Sequence, residues 1–201
     1  ASRARYREQP FLKSLADGGF QVEELARLHY KNGIFIDAES FDYDKAVQLT
    51  IEALSHENAV LYEGAFLFDG YYVRCDIIEK KGNKLRLIEV KAKSFDPTDD
   101  FLFISKNGKL VSGWKPYLFD LAFQKKVVQM AFPDFEVEAY LMMADKTKKA
   151  SIDGLNQLFR IPANGNPRTD IIKKVTKLFL RRSRLQIELI FFSQGCSKAS
   201  S

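Results

Sequence analysis

Two apolar runs, Tyr72-Val73-Arg74-Cys75-Asp76-Ile77-Ile78 and Leu87-Ile88-Glu89-Val90-Lys91-Ala92, flank the segment Lys80-Lys81-Gly82-Asn83. The Gly-Asn pair is a turn signal, so the two runs are predicted to fold back on each other as a β-hairpin. Strand alternation then puts Glu89 and Lys91 on one face with Leu85 and Leu87, and Ile88, Val90 and Ala92 on the other. Both faces are apolar, which makes the strand a buried one. Charges at Asp76, Glu89 and Lys91 are costly there unless they have partners. The competing reading is a solvent-facing strand of alternating charge, since Glu-x-Lys taken alone arises often in a chain with 28% charged residues.

The rest of the chain builds a domain around this hairpin. Residues 11–30 read as a helix interrupted at Gly18-Gly19, with Val22, Leu25, Ala26 and His29 on one face. Asn32-Gly33 closes it, and 34–36 is an extended connector. Residues 43–54 form a second helix. Strands are predicted over 59–68, 71–79 and 84–93, the first two joined by the tight turn Asp69-Gly70. A long loop, 94–113, follows. Ser112-Gly113 offers an N-cap and Pro116 sits in the first turn of a helix that ends at Pro133. A strand over 135–143 can return parallel to an earlier one. Beyond it, 158–161 reads as a short strand, 170–182 as a basic amphipathic helix and 185–192 as a strand. The expected fold is α/β: a mixed central sheet with an antiparallel run of three strands, a crossover helix and a further strand, with helices on both faces.

At 201 residues, with 46% hydrophobic residues including 17 Phe, the chain is long enough for one domain with an aromatic core. The net charge of +5 leans mildly toward a polyanionic partner. No apolar run reaches the length of a membrane span. Cys75 and Cys196 do not make a disulfide framework, which favours a reducing, cytoplasmic setting. Residues 1–10 are basic without an apolar signal core, and read as disordered or artificially appended. Residues 11–165 hold the domain, and 166–201 a C-terminal basic helix and tail.

Asp on one strand and Glu-x-Lys on its neighbour suit the cleavage of phosphodiesters. That reaction needs an activated water and neutralisation of developing negative charge. A divalent ion, Mg²⁺ or Mn²⁺, supplies both, and carboxylates hold it. Asp76 and Glu89 are the candidate ligands, with the Val90 carbonyl between Glu89 and Lys91 as a further one. Lys91 would orient or deprotonate the water, or steady the transition state.

These residues resemble the PD-(D/E)XK nuclease superfamily in its RecB-like branch. The matching pieces are Asp76, Glu89-Val90-Lys91 and a following helix with Gln124. The resemblance implies a restriction-endonuclease-like fold and a metal-dependent nuclease acting on DNA in repair, recombination or defence. It implies that Gln124 orients the site or contacts substrate. That branch carries Gln-x-x-x-Tyr on the helix, whereas this chain has Val128 in the Tyr position. Tyr117, two turns before Gln124, could share its face. The branch also carries Gly-x-x-x-His on its first helix. Here Gly19-Phe-Gln-Val-Glu23 places Glu23 there as a third metal ligand, with Glu24 taking the role if the register shifts by one. An exposed helix glutamate is the competing reading. Glu63 reads as a structural charge or a support to the site. Relatives with an iron–sulfur cluster use four cysteines, so no such cluster is expected from two. Residues 17–162 further resemble a bacterial group within the branch through Asp-Leu-Ala-Phe-Gln at 120–124 and Gly-Leu-Asn-Gln-Leu-Phe-Arg-Ile at 154–161. Members of that group are often much longer, so the chain reads as a piece of a larger protein with further domains or protein partners. The runner-up function is a catalytically inactive, nuclease-like binding or scaffold module.

Other candidates carry less. His29 reads as a core histidine and His56 as a charge at a helix end. With so little His and Cys a zinc site is not expected, and no Gly-rich phosphate loop supports an ATPase. The basic run Lys173, Lys174, Lys177, Arg181, Arg182, Arg184 suits either a phosphate backbone or a solvated face. Lys106, Lys109, Lys115, Phe101 and Trp114, around the long loop, suit either a substrate wall with stacking groups or a plain loop.

Overall fold

The computed structural model describes residues 10–38, 41–147, 159–160, 170–171 and 187–191. In chain order the elements are α1 (Pro10–His29), β1 (Ile34–Phe35), α2 (Tyr43–Leu54), β2 (Asn58–Phe68), β3 (Tyr71–Lys81), β4 (Lys84–Phe95), α3 (Lys115–Ala131), β5 (Glu136–Asp145), β6 (Phe159–Arg160), β7 (Asp170–Ile171) and β8 (Ile187–Phe191). Hydrogen bonding orders one sheet as β1-β2-β3-β4-β5-β8, while β6 and β7 make a separate two-stranded pair. The sheet is mixed: β1 runs parallel to β2, whereas β2–β3 and β3–β4 are antiparallel. The fold is α/β. Among the described residues no helix is long and apolar enough to cross a membrane.

The chain divides into two compact units, one of residues 32–89, 103–141 and 189–201, the other of 1–31, 90–102 and 142–188. In the first unit, turn chemistry sets the sheet. Asp69 and Gly70 both take positive φ, 48° and 77°, as a two-residue hairpin turn between twisted strands requires. Gly82, at φ 58°, does the same between β3 and β4. Helices α2 and α3 both pack on β2. Ala46, Ala53 and Leu54 from α2, and Val127 and Val128 from α3, share one buried cluster with Leu61, Phe66, Cys75, Ile78, Leu85 and Leu87. Thr50 ties helix to sheet: its hydroxyl donates to the Ala46 carbonyl at 2.8 Å and accepts the Ala65 N–H at 2.9 Å. Strand β1 pairs with β2 only at Leu61 and Tyr62, so the Ala65 N–H lies beyond it and finds its acceptor on the helix.

A seam of charge crosses β3, β4 and β5. Arg86 Nε lies 3.1 Å from Glu138 Oε2, its Nη1 lies 3.4 Å from Glu79, and the Tyr140 hydroxyl donates to the same Glu138 oxygen at 2.8 Å. The Tyr140 bond first, then Arg86, holds the Glu138 carboxyl below the usual carboxylate range. Burial and the same bond push the Tyr140 hydroxyl up to about 12.

In the second unit, α1 buries Leu25 and Ala26. The end of β5 is tied to the end of β4 by a bond from Lys146 N–H to the Phe95 carbonyl, 2.9 Å, and by Lys146 Nζ to Asp96, 3.4 Å.

Several expectations are corrected. Helix α1 runs unbroken through Gly18 and Gly19; a glycine costs a helix only about 1 kcal/mol relative to Ala. Residues 34–35 are a strand, because β2 offers them an edge. The cap of α3 is Trp114, not Ser112, and makes no side-chain cap bond. His29 stands exposed at the end of α1, although nearby protein lowers its pKa by desolvation. The second apolar face of β4 ends at Val90, since Ala92 is exposed. The long loop is internally tied: Ile104 bridges Leu110, and Ser105 N–H bonds to the Lys109 carbonyl at 2.8 Å. Asp170 and Ile171, expected to open a helix, pair with Arg160 and Phe159. The remainder of that helix and its basic run lie outside the described residues.

Candidate functional site

The β3–β4 ladder runs from Lys81↔Lys84 to Ile77↔Ile88. The last pair lies one residue short of Asp76 and Glu89, and an unchanged register would set these two opposite each other. Glu89 is only 6% exposed. A carboxylate so deeply placed needs compensation, and Gln124 supplies part of it. From α3 the Gln124 amide donates to Glu89 Oε2 at 2.9 Å. Gln124 is itself 5% exposed, and its Oε1 is buried with no hydrogen-bond partner. That orphaned acceptor lies on the same amide that holds Glu89.

Cys75, next to Asp76 on β3, is a probe of the charge around it. Burial pushes its thiol well up, and the charges of Glu89, Asp76, Asp120 and Glu63 push it further. Carboxylates from β2, β3, β4 and α3 thus make a partly negative environment around one buried atom, with Arg74 offsetting Glu63. It keeps the thiol protonated, so Cys75 is no nucleophile.

Glu63 lies between the pairs Tyr62↔Ile77 and Gly64↔Cys75, where the ladder skips a pair. Its φ is 60°, a left-handed conformation that is rare for a side-chain-bearing residue within a strand. Arg74 secures it, with Nε 3.2 Å from both the Glu63 carboxylate and its own carbonyl, while Nη2 donates to the Ile36 carbonyl at 3.2 Å. Asp120 was not anticipated from the sequence. The available signal is spacing: Tyr117, Asp120 and Gln124 fall at i, i+3, i+7 on α3 and so share one side of the helix. Tyr117 is half-buried and tilts against Trp114 with ring centroids 6.1 Å apart. Trp114 is buried and stacks edge-on to Phe103 at 5.1 Å, so it is a core ring, not the stacking wall expected of it. Val128, where the resembled branch has Tyr, is a fully buried core residue.

Val90 and Lys91 continue β4 past Glu89 and belong to the other unit. Val90 is buried and Lys91 half-buried. Glu23 also belongs there, on α1, with its carboxylate 3.7 Å from Arg27, which pairs with Glu24 as well.

Among the described residues no group of three or more His, Cys, Asp or Glu side chains is drawn together as metal ligands. The donor chemistry nevertheless fits a hard divalent ion. Mg²⁺ is typically held by one or two carboxylates and keeps several waters, and Asp76 with Glu89 makes such a pair. No family model, no curated protein and no solved structure matches the chain.

Proposed function

We propose that the chain is a Mg²⁺- or Mn²⁺-dependent nuclease hydrolysing phosphodiester bonds in DNA, with a restriction-endonuclease-like fold and a cytoplasmic role in repair, recombination or defence. The observation that carries this reading is the buried Glu89 carboxylate, held by Gln124 at 2.9 Å and placed two residues before a lysine. So costly an arrangement needs a use, because a merely structural strand is better filled with apolar residues.

In this reading Asp76 and Glu89 hold the ion, with the carbonyl of Val90, next along β4, as a further donor. The ion, when bound, lowers the pKa of water and neutralises charge on the phosphoryl oxygens. Gln124 fixes the orientation of the Glu89 carboxylate, and its unpartnered Oε1 is an acceptor for a water or a substrate hydroxyl. Lys91 shares the Glu89 side of β4 by strand alternation. Its ammonium meets the negative charge that develops on the phosphate, or takes a proton from water in its neutral form. Tyr117 lines the same side of α3 as Gln124.

The replacement of a polar Tyr by buried Val128 favours a second reading, a nuclease-like module that binds without cutting. One experiment separates the two. Labelled single- and double-stranded DNA is incubated with the chain and Mg²⁺, Mn²⁺ or Ca²⁺, beside Glu89→Ala. The nuclease reading predicts cleavage with Mg²⁺ or Mn²⁺ only, lost in the variant and falling steeply with salt. Equal inactivity of both proteins, with no ion bound, selects the scaffold reading.

A further inference from the structure

The side of α3 turned away from Gln124 has a pattern of its own. Lys115, Phe119, Phe123 and Lys126 are all exposed. At 100° per residue they fall within one stripe, which spans roughly 16 Å along the helix at 1.5 Å per residue. Phe119 is 60% exposed and Phe123 44%. Beside Phe123 stands Tyr71, 52% exposed, with ring centroids 5.8 Å apart in an edge-on contact. Three aromatic rings thus open to solvent between two lysines, on the helix that also carries Gln124.

Apolar residues left open on a helix normally need a covering partner, and the lysines indicate which kind. Lys is depleted in protein–protein interfaces, where its desolvation is costly. A nucleic acid strand supplies what both residue types want: phosphates for the ammonium groups and flat base faces for the rings. The strand must be single, because in a duplex the base faces are already stacked on one another. The one carboxylate of α3, Asp120, lies on the Gln124 side. Against it the helix sets three lysines, Lys115, Lys125 and Lys126.

We infer that the exposed stripe of α3, with Tyr71, is a single-stranded DNA track. It rests on the nuclease reading only for its purpose, which is to lead a strand along the helix that holds the site. Binding itself does not depend on cleavage.

The test is fluorescence polarisation of a labelled oligodeoxythymidine in EDTA, with a blunt duplex of the same length as comparison. Wild type binds the single strand more tightly than the duplex. Phe119→Ala with Phe123→Ala weakens binding by roughly tenfold or more. Phe119→Leu with Phe123→Leu, which keeps apolar area and removes the π faces, weakens it similarly. Lys115→Gln with Lys126→Gln lowers the slope of log affinity against log salt by about 1.4, at about 0.7 per phosphate contact on a single strand. Unchanged affinity in the Phe variants, or no preference for the single strand, overturns the inference. So does a wild-type dimer in sedimentation that the Phe variants convert to monomer, which would make the stripe a self-association face. A wild-type chain that binds the single strand but cleaves nothing with Mg²⁺ or Mn²⁺ tells against the nuclease reading alone, and cleavage with unchanged Phe variants against the track alone.

Discussion

Glu89 and Lys91 sit two residues apart on one strand, yet they are asked to do different things. Glu89 is buried and held by an amide, so its work is done in the ground state, before any bond changes. Lys91 is half-buried and, in the proposed reaction, acts on charge that appears only in the transition state. Lys91→Ala should therefore leave Mn²⁺ affinity, measured by calorimetry, within a few-fold of wild type. Cleavage should fall by about a hundredfold or more, the usual contribution of a positioned acid–base group. An unchanged rate would remove Lys91 from the mechanism. The charge seam gives a second prediction at this scale. Tyr140 and Arg86 depress the Glu138 pKa. A depressed carboxylate contributes stability that is present above its unfolded pKa and is lost as pH falls through the folded one. Tyr140→Phe should lower unfolding stability at pH 7 by about 1 kcal/mol, the net value of one hydrogen bond. The gap should close as pH falls through the depressed pKa of Glu138. A gap that persists in acid would assign the loss to packing instead.

At the scale of elements, the join between α2 and β2 rests on one hydroxyl. Thr50 is fully buried, and its oxygen is the acceptor for the Ala65 N–H. Thr50→Val keeps the shape and leaves that N–H unpaired, at a cost of about 1–3 kcal/mol. Thr50→Ser, which keeps the acceptor, should lose less, and urea unfolding of the pair measures the difference. Elements whose signals are local were the legible ones. Asp69-Gly70 and Gly82-Asn83 each dictate a hairpin because few residues tolerate the dihedrals required, so the β2–β3–β4 run was readable from the sequence. What depends on a distant partner was not legible. Ile34–Phe35 is a strand only because β2 has an edge to offer. The run of α1 through two glycines reflects context overriding propensity. Asp170 and Ile171 pair with residues ten and twelve positions earlier in the chain.

For the whole molecule, the account is electrostatic. The chain carries a net charge of +5, yet four carboxylates bear on the single buried atom of Cys75. Local negative potential within a basic protein suits an ion at the site and a polyanion on the surface. The Asp76 and Glu89 part of this was readable from two strands and a turn. Asp120 was not, because a helix face becomes a site wall only when the helix packs, and helical spacing alone does not say on what. The most direct measurement is calorimetric titration of Mn²⁺ into the wild-type chain and into Asp76→Asn and Glu89→Gln, which preserve side-chain volume. The account predicts a saturable site in wild type that both variants lose while keeping the wild-type thermal melt without metal. Binding that survives both substitutions, or none in a folded wild-type chain, would contradict it.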